Sequence, residues 1–226
     1  MKHLERLGIV LCLGLLLSPA ATHAGAVIGT LKLPGTRSRV ALASSGRAPA
    51  HAAPAPQAEA VIYIDRIPDK LEAKLAKKAG KAVMGQCYGA FVPRVMAIAA
   101  GTKLTFENQD RVYHNAFSVS PVRKFDVGKY APRETRDVVF NKPGLVKVFC
   151  ELDPDELGFV YVTPNNAFVR PDADGQFKLP KLPPGNYTVT AWHPRLGSVS
   201  RELVMEKRGD VAVALELPSG RKPKAR

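Results

Sequence analysis

Two side chains near the middle of the chain have the types to hold a metal ion, His114 and Cys150. A His on one loop and a Cys at the end of a later strand can meet in a small β-sandwich. That is the geometry of a one-copper site. Imidazole nitrogen and thiolate sulfur suit copper and zinc, and carboxylates make such a site harder. Asp153 and Glu156 share the Cys150 loop with Glu151 and Asp155. Acidic loop residues are usually just solvated, and these can also pair with Arg123, Lys124 or Arg133. Hydrolytic chemistry is not indicated. Ser118 and Ser120 lack triad partners, and two carboxylates on one short loop define no cleft.

The elements that must position these residues read as short strands. Lys103-Leu104-Thr105-Phe106-Glu107-Asn108 alternates strictly, with Leu104 and Phe106 toward a core. Residues 82–84 and 91–98 read as strands before it. Residues 136–140 and 145–149 read as strands around a Pro143-Gly144 turn, and 158–162 as another. Six or seven strands in about eighty residues is sandwich spacing. Residues 26–33 and 60–65 are two earlier strands, the second apolar on both faces. Between them, residues 36–58 are rich in Ala, Pro, Arg and Ser, the composition of a loop or linker. His51 inside it is incidental. Asp69 is positioned to cap a short helix with Leu71 and Leu75 on one face and Gly80 at its end. After residue 165 come a turn at Asp172-Ala173-Asp174-Gly175, another at Pro183-Pro184-Gly185-Asn186, and strands over 176–179, 187–192, 199–205 and 211–217.

The chain has 226 residues, 46% of them hydrophobic, which is enough for one or two small cores. Lys2 and Arg6, an apolar run over 7–17, and Thr22-His23-Ala24 read as a secretory signal over residues 1–24. The alternative, a transmembrane anchor, needs roughly 20 apolar residues. Cys12 follows Leu11, which is not the small residue of a lipoprotein site. The expected location is periplasmic or secreted. Formal charge is +13, or about +12 without the signal. This fits either a solvated basic surface or attraction to an acidic redox protein or anionic lipid. No basic helix with interleaved aromatics marks a nucleic-acid site. Removal of the signal leaves Cys87 and Cys150, which either pair in an oxidising compartment or leave one free as a thiolate.

One set of motifs is jointly specific. It comprises Phe91-Val92-Pro93, the run Gly101-Thr102 to Asn108 and Asp110, His114-Asn115 with Phe117-Ser118, Phe125-Asp126 with Gly128 and Tyr130, and Pro143-Gly144 leading to Cys150. Together they resemble the plastocyanin-like or methylamine-utilisation-like cupredoxins, over roughly residues 82–163. Asp172, Asp174-Gly175 and Phe177, Leu182-Pro183-Pro184-Gly185 with Tyr187, and Trp192-His193-Pro194 resemble a transthyretin-like, carboxypeptidase-regulatory-like module. The resemblance implies an all-β protein: a Greek-key cupredoxin-like sandwich plus a smaller transthyretin-like one. Residues 25–65 would supply the first strands of the smaller module and 164–218 the remainder. Residues 66–81 would be a helix and linker, and 219–226 a basic tail. In one arrangement the larger sandwich is inserted into the smaller; in the other the two stand in tandem.

The resemblance further implies copper binding or electron transfer, without enzymatic activity. In that family the Cys is followed three positions on by His, then by Pro, then by an axial Met. Here those positions hold Cys150, Asp153, Pro154 and Glu156. Neither His51 nor His193, nor Met84, Met96 or Met205, falls on the Cys150 loop. His193 belongs to a motif that the family keeps when its copper loop is intact, so its expected role is structural or at the surface. Three outcomes stay open. His114, Cys150, Asp153 and Glu156 hold non-blue copper, or zinc; the sandwich is a metal-free binding or structural module; or Cys150 pairs with Cys87. Redox partner and oligomeric state are not legible.

Overall fold

The structure is a computed structural model that describes residues 24–34 and 56–219. The sequence readings of the signal, Cys12, His51, most of the Pro/Ala-rich loop and most of the basic tail fall outside these residues. In chain order the elements are β1 (Val27–Lys32), β2 (Val61–Ile64), α1 (Asp69–Ala76), β3 (Ala82–Cys87), β4 (Ala90–Val92), β5 (Val95–Ala99), β6 (Thr102–Asn108), β7 (Phe117–Ser118) and β8 (Phe125–Asp126). They continue as β9 (Thr135–Phe140), β10 (Gly144–Phe149), β11 (Leu157–Thr163), β12 (Phe168–Val169), β13 (Gln176–Lys178), β14 (Gly185–His193), β15 (Gly197–Met205) and β16 (Val211–Glu216).

These strands form four sheets. A sheet of order β13-β1-β16 faces one of order β12-β2-β14-β15, and a sheet of order β5-β11-β10-β7-β8 faces one of order β4-β3-β6-β9. Among the described strands, β3–β11 pair only with one another, and in sequence they lie between the two groups of strands that build the first sandwich. Each sandwich closes on its own core. The smaller holds Val27, Leu31, Ile62, Ile64, Val189 and Leu215. The larger holds Met84, Leu104, Phe106, Phe140, Val148 and Val160.

A third apolar cluster joins the two sandwiches, built from Val61, Val95, Phe159 and Trp192 with Tyr63 and Tyr161. Strand pleating explains it. In β2, Ile62 and Ile64 enter the small core while Val61 and Tyr63 face the larger sandwich. In β11, Val160 and Val162 enter the large core while Phe159 and Tyr161 face the smaller one. The apolar residues on both faces of β2 are thus the mark of a strand covered on both sides. Tyr161 stacks on Trp192 at 4.3 Å between ring centroids, and its hydroxyl shares a 3.0 Å hydrogen bond with that of Tyr63. Arg94 reaches from the large sandwich to Glu59 at 2.7 Å.

Several local expectations needed correction. Pro68, not Asp69, occupies the N-cap position of α1, with no side-chain cap, and the helix ends at Ala76, before Gly80. Asp69 and Glu72 lie instead in the first turn, where carboxylates suit the helix dipole. Glu72 also accepts hydrogen bonds from the Asn166 amide and side chain, at 2.8 and 2.6 Å, which ties α1 to the returning chain. The chain changes sheets at Pro93-Arg94: β4 pairs with β3, and β5 with β11. Proline cannot donate to a ladder and breaks the run there. The two-residue strands β7, β8 and β12 were too short to leave a period in the sequence.

Candidate metal centre

His114, Cys150 and Glu156 converge at one end of the large sandwich. Their ligand atoms all lie within 4.8 Å of one another, and all three residues are buried. Cys150 and Glu156 arrive there by simple strand parity. Cys150 continues the inward series Val146, Val148 just past the end of β10. Glu156 precedes the inward series Gly158, Val160, Val162 of β11. His114 is held by a bridge to Tyr130, with backbone hydrogen bonds of 3.2 and 2.9 Å between the two residues. The loop before it is folded around Asn108, whose side chain donates to the carbonyls of Val112 and Tyr130 and accepts from the amide of Asp110.

Asp110 fixes the imidazole. Its Oδ2 lies 3.0 Å from His114 Nε2. Burial alone would raise the Asp110 carboxyl, but the Tyr88 and Gly89 amides and the His114 ring together hold it below its ordinary value. As a carboxylate it only accepts, so Nε2 carries the hydrogen and Nδ1 is turned to the centre of the cluster. Nδ1 lies 3.7 Å from Cys150 Sγ and 3.3 Å from Glu156 Oε2. The Tyr88-Gly89 turn that Asp110 binds has positive φ at both residues, +55° and +69°. That is the twist of a two-residue hairpin, and it is unusual for a tyrosine.

Gln86 fixes the carboxylate. It is fully buried on β3, on the same face as Met84. Its Nε2 donates to Glu156 Oε1 at 3.0 Å and to the Asn115 carbonyl at 3.1 Å, and its Oε1 accepts from the Tyr130 hydroxyl. One carboxylate oxygen is therefore held from behind. The other, Glu156 Oε2, is buried and has no hydrogen bond among the described residues, and His114 Nδ1, 3.3 Å away, has no hydrogen to donate when Nε2 carries it. A buried carboxylate oxygen without a donor is costly unless it meets a cation or takes up a proton. Burial pushes the Glu156 carboxyl up, only partly offset by Gln86, Cys150 and His114. Burial likewise pushes the Cys150 thiol up, against the amides of Asn115 and Leu152.

The four residues expected at this site thus separate into three and one. Asp153 lies outside the cluster: its Oδ1 accepts from the Asp155 amide at 3.2 Å and its carbonyl from the Glu156 amide at 3.1 Å, so it shapes the turn. Glu151 and Asp155 are exposed. Cys87 and Cys150 are both free thiols. Cys87 follows the inward Gln86 in β3, so pleating turns it to the opposite face. His193 is buried, accepts from the Arg195 amide at 3.2 Å, and is not part of the cluster. Asp110 and Gln86 were not singled out from the sequence as site residues. The available signals were a polar residue at an inward strand position and a carboxylate four residues before a candidate ligand.

No family model and no curated protein matches this chain. Solved structures do. A copper-containing nitrite reductase from Thermus scotoductus SA-01 aligns at 24% identity and TM-score 0.35, over 37% of this chain and 22% of that one. A purple cupredoxin from Nitrosopumilus maritimus aligns at 24% identity and TM-score 0.34, over 37% of this chain and all of that one. A reduced amicyanin variant aligns at 20% identity and TM-score 0.34, over 39% of this chain and 88% of that one. The alignment thus spans about a fifth of the nitrite reductase. The donor geometry described above stands independently of these likenesses.

Proposed function

We propose that this chain is an exported cupredoxin-like protein that binds copper through His114 Nδ1, Cys150 Sγ and Glu156 Oε2, and acts in metal binding or electron transfer, not catalysis. The observation that carries this reading is Glu156 Oε2, a buried oxygen left without a donor while Gln86 holds the other carboxylate oxygen, Oε1. Bound copper would supply a one-electron couple. The protein holds the three donors in fixed positions, excludes water by burial, and sets the imidazole tautomer through Asp110. A carboxylate in place of a thioether favours Cu(II) over Cu(I), so the site would be non-blue and of lower potential than a His₂Cys centre. Asp153 contributes through the turn, not as a donor. The smaller sandwich is read as the transthyretin-like module, with residues 82–163 inserted into it.

A second reading is a metal-free binding module. The upward push on both Cys150 and Glu156 favours it, because a neutral thiol and a neutral carboxyl can share the pocket without a cation. Copper titration of the reduced protein separates the two. Stoichiometric binding that is lost in Cys150→Ser, His114→Ala and Glu156→Gln supports the metal reading. No binding at micromolar copper refutes it. Competition with zinc then identifies the preferred ion.

A further inference from the structure

Gln86 is a polar side chain at a position that packing alone would fill with an apolar one. It is fully buried on the inward face of β3, two residues after Met84. A buried amide is costly unless its donors and acceptor are met. Here they are. The Asn115 carbonyl can only accept, so it must face Nε2, and the second hydrogen of that nitrogen goes to Glu156 Oε1. Gln86 Oε1 takes the Tyr130 hydroxyl.

Tyr130 is itself fixed. Its amide and carbonyl bridge to His114, its carbonyl also accepts from the Asn108 side chain at 3.1 Å, and the Arg136 guanidinium lies 5.6 Å from the centre of its ring. The amide of Gln86 is therefore anchored at both ends and has no alternative orientation that keeps its hydrogen bonds.

The consequence falls on Glu156. A carboxylate can meet an ion through one oxygen or through both. Oε1 is occupied by Gln86, so Oε2 alone is offered beside His114 Nδ1 and Cys150 Sγ. Among the described His, Cys, Asp and Glu residues, these three are the ones that converge. Three donors that include an imidazole and a thiolate suit the trigonal set in which proteins hold copper, whereas bound zinc is almost always four-coordinate.

We propose that Gln86 is the specificity-determining residue of this site: anchored by Tyr130, it keeps Glu156 Oε1 away from the ion, limits these donors to three and so selects copper over zinc. This rests on the reading of His114, Cys150 and Glu156 as a copper site. An apolar side chain in place of the amide frees Oε1 as a further donor and shifts the preference toward zinc. Loss of a purely structural hydrogen bond would weaken both ions alike.

The test compares Cu(II) and Zn(II) affinities of the full reduced chain, without oxygen, by competition against chromophoric chelators. The variants are Gln86→Leu, Tyr130→Phe and the two combined. The combined variant leaves no unmet hydroxyl, so it guards against misfolding of the single ones. The ratio of copper to zinc affinity should fall about tenfold or more in Gln86→Leu and in the combined variant, and less in Tyr130→Phe. X-ray absorption should count one more oxygen donor around zinc in the combined variant than in the wild type. In the metal-free protein, NMR should show the Gln86 side-chain amide hydrogens protected from exchange, and Tyr130→Phe should speed that exchange. An unchanged ratio with both ions still bound would overturn the proposal and leave the metal reading standing. So would rapid exchange of the Gln86 amide hydrogens in the wild type. Binding of neither ion by the wild type would refute the metal reading and this inference with it.

Discussion

His114 Nε2 lies 3.0 Å from Asp110 Oδ2, so the imidazole presents Nδ1 to Cys150 and Glu156. The same carboxylate accepts the amides of Tyr88 and Gly89, at 2.8 and 3.4 Å, in the hairpin turn after Gln86. One acidic side chain therefore orients the nitrogen donor and secures the strand whose glutamine orients the oxygen donor.

Asp110→Asn keeps an oxygen for these amides but removes the charge and the obligation of Nε2 to carry the hydrogen. Copper affinity should fall about 10–100-fold, the usual effect of losing a carboxylate behind a metal-ligating His. Competition against a chromophoric chelator measures it. An unchanged affinity would show that the backbone alone positions the ring.

Glu156→Gln should raise the stability of the metal-free protein at neutral pH and abolish copper binding. The sign follows from burial, which holds the folded carboxyl above its ordinary value. Below that ordinary value the group is protonated in both states, and its contribution is fully present. The contribution is lost as pH rises through the folded value. In the glutamine variant, Nε2 can donate to His114 Nδ1, and there is no charge to bury. Urea unfolding of the apoprotein across acid to neutral pH should show a declining stability in the wild type that the variant lacks. Parallel curves would refute the assignment.

Metal binding at neutral pH should release one proton from the Cys150 thiol, and more to the extent that Glu156 is protonated in the free protein. The Cys150 thiol is pushed above its ordinary value, so it is protonated in the free protein and must ionise to become a ligand. Calorimetry in buffers of different ionisation enthalpy counts the protons. Affinity should rise about tenfold per pH unit below the thiol value, and a pH-independent affinity would exclude thiolate ligation.

The junction between the sandwiches carries substantial stability. Trp192 is 7% exposed and stacks on Tyr161. Trp192→Ala should cost about 3–5 kcal/mol. Tyr161→Phe removes the partner of the Tyr63 hydroxyl and should cost about 1 kcal/mol. Urea unfolding measures both. A tryptophan variant that unfolds in two separate transitions would show that the sandwiches are stable independently.

Much of the all-β architecture was legible from alternation alone. Leu104 and Phe106 are fully buried, as their period required, and the residues apolar on both faces of β2 mark a strand with cores on either side. The candidate site was legible less evenly. His114 and Cys150 stand out by type. Glu156 is singled out only by the position at which the resembled family has its axial ligand, and its parity with Val160 and Val162 agrees with its burial. Asp153 has the same chemistry as Glu156, but a turn diverts it, and turn geometry in a seven-residue loop leaves no period to read. Gln86 and Asp110 act through pairings 70 and 4 residues away in sequence, which composition does not reveal.

The double-sided burial of β11 bears on how the protein can be divided. Its even-numbered side chains run from Glu156 into the larger core, and its odd-numbered ones, Phe159 and Tyr161, grip the neighbouring sandwich. Slippage of that strand by one residue would eject Glu156 and draw Leu157 inward. The smaller sandwich thus works as a detent, clicking β11 into the one alignment that keeps the carboxylate at the centre. Residues 82–163 expressed alone would lose that stop and leave the aromatic wall of Phe159 and Tyr161 bare to water.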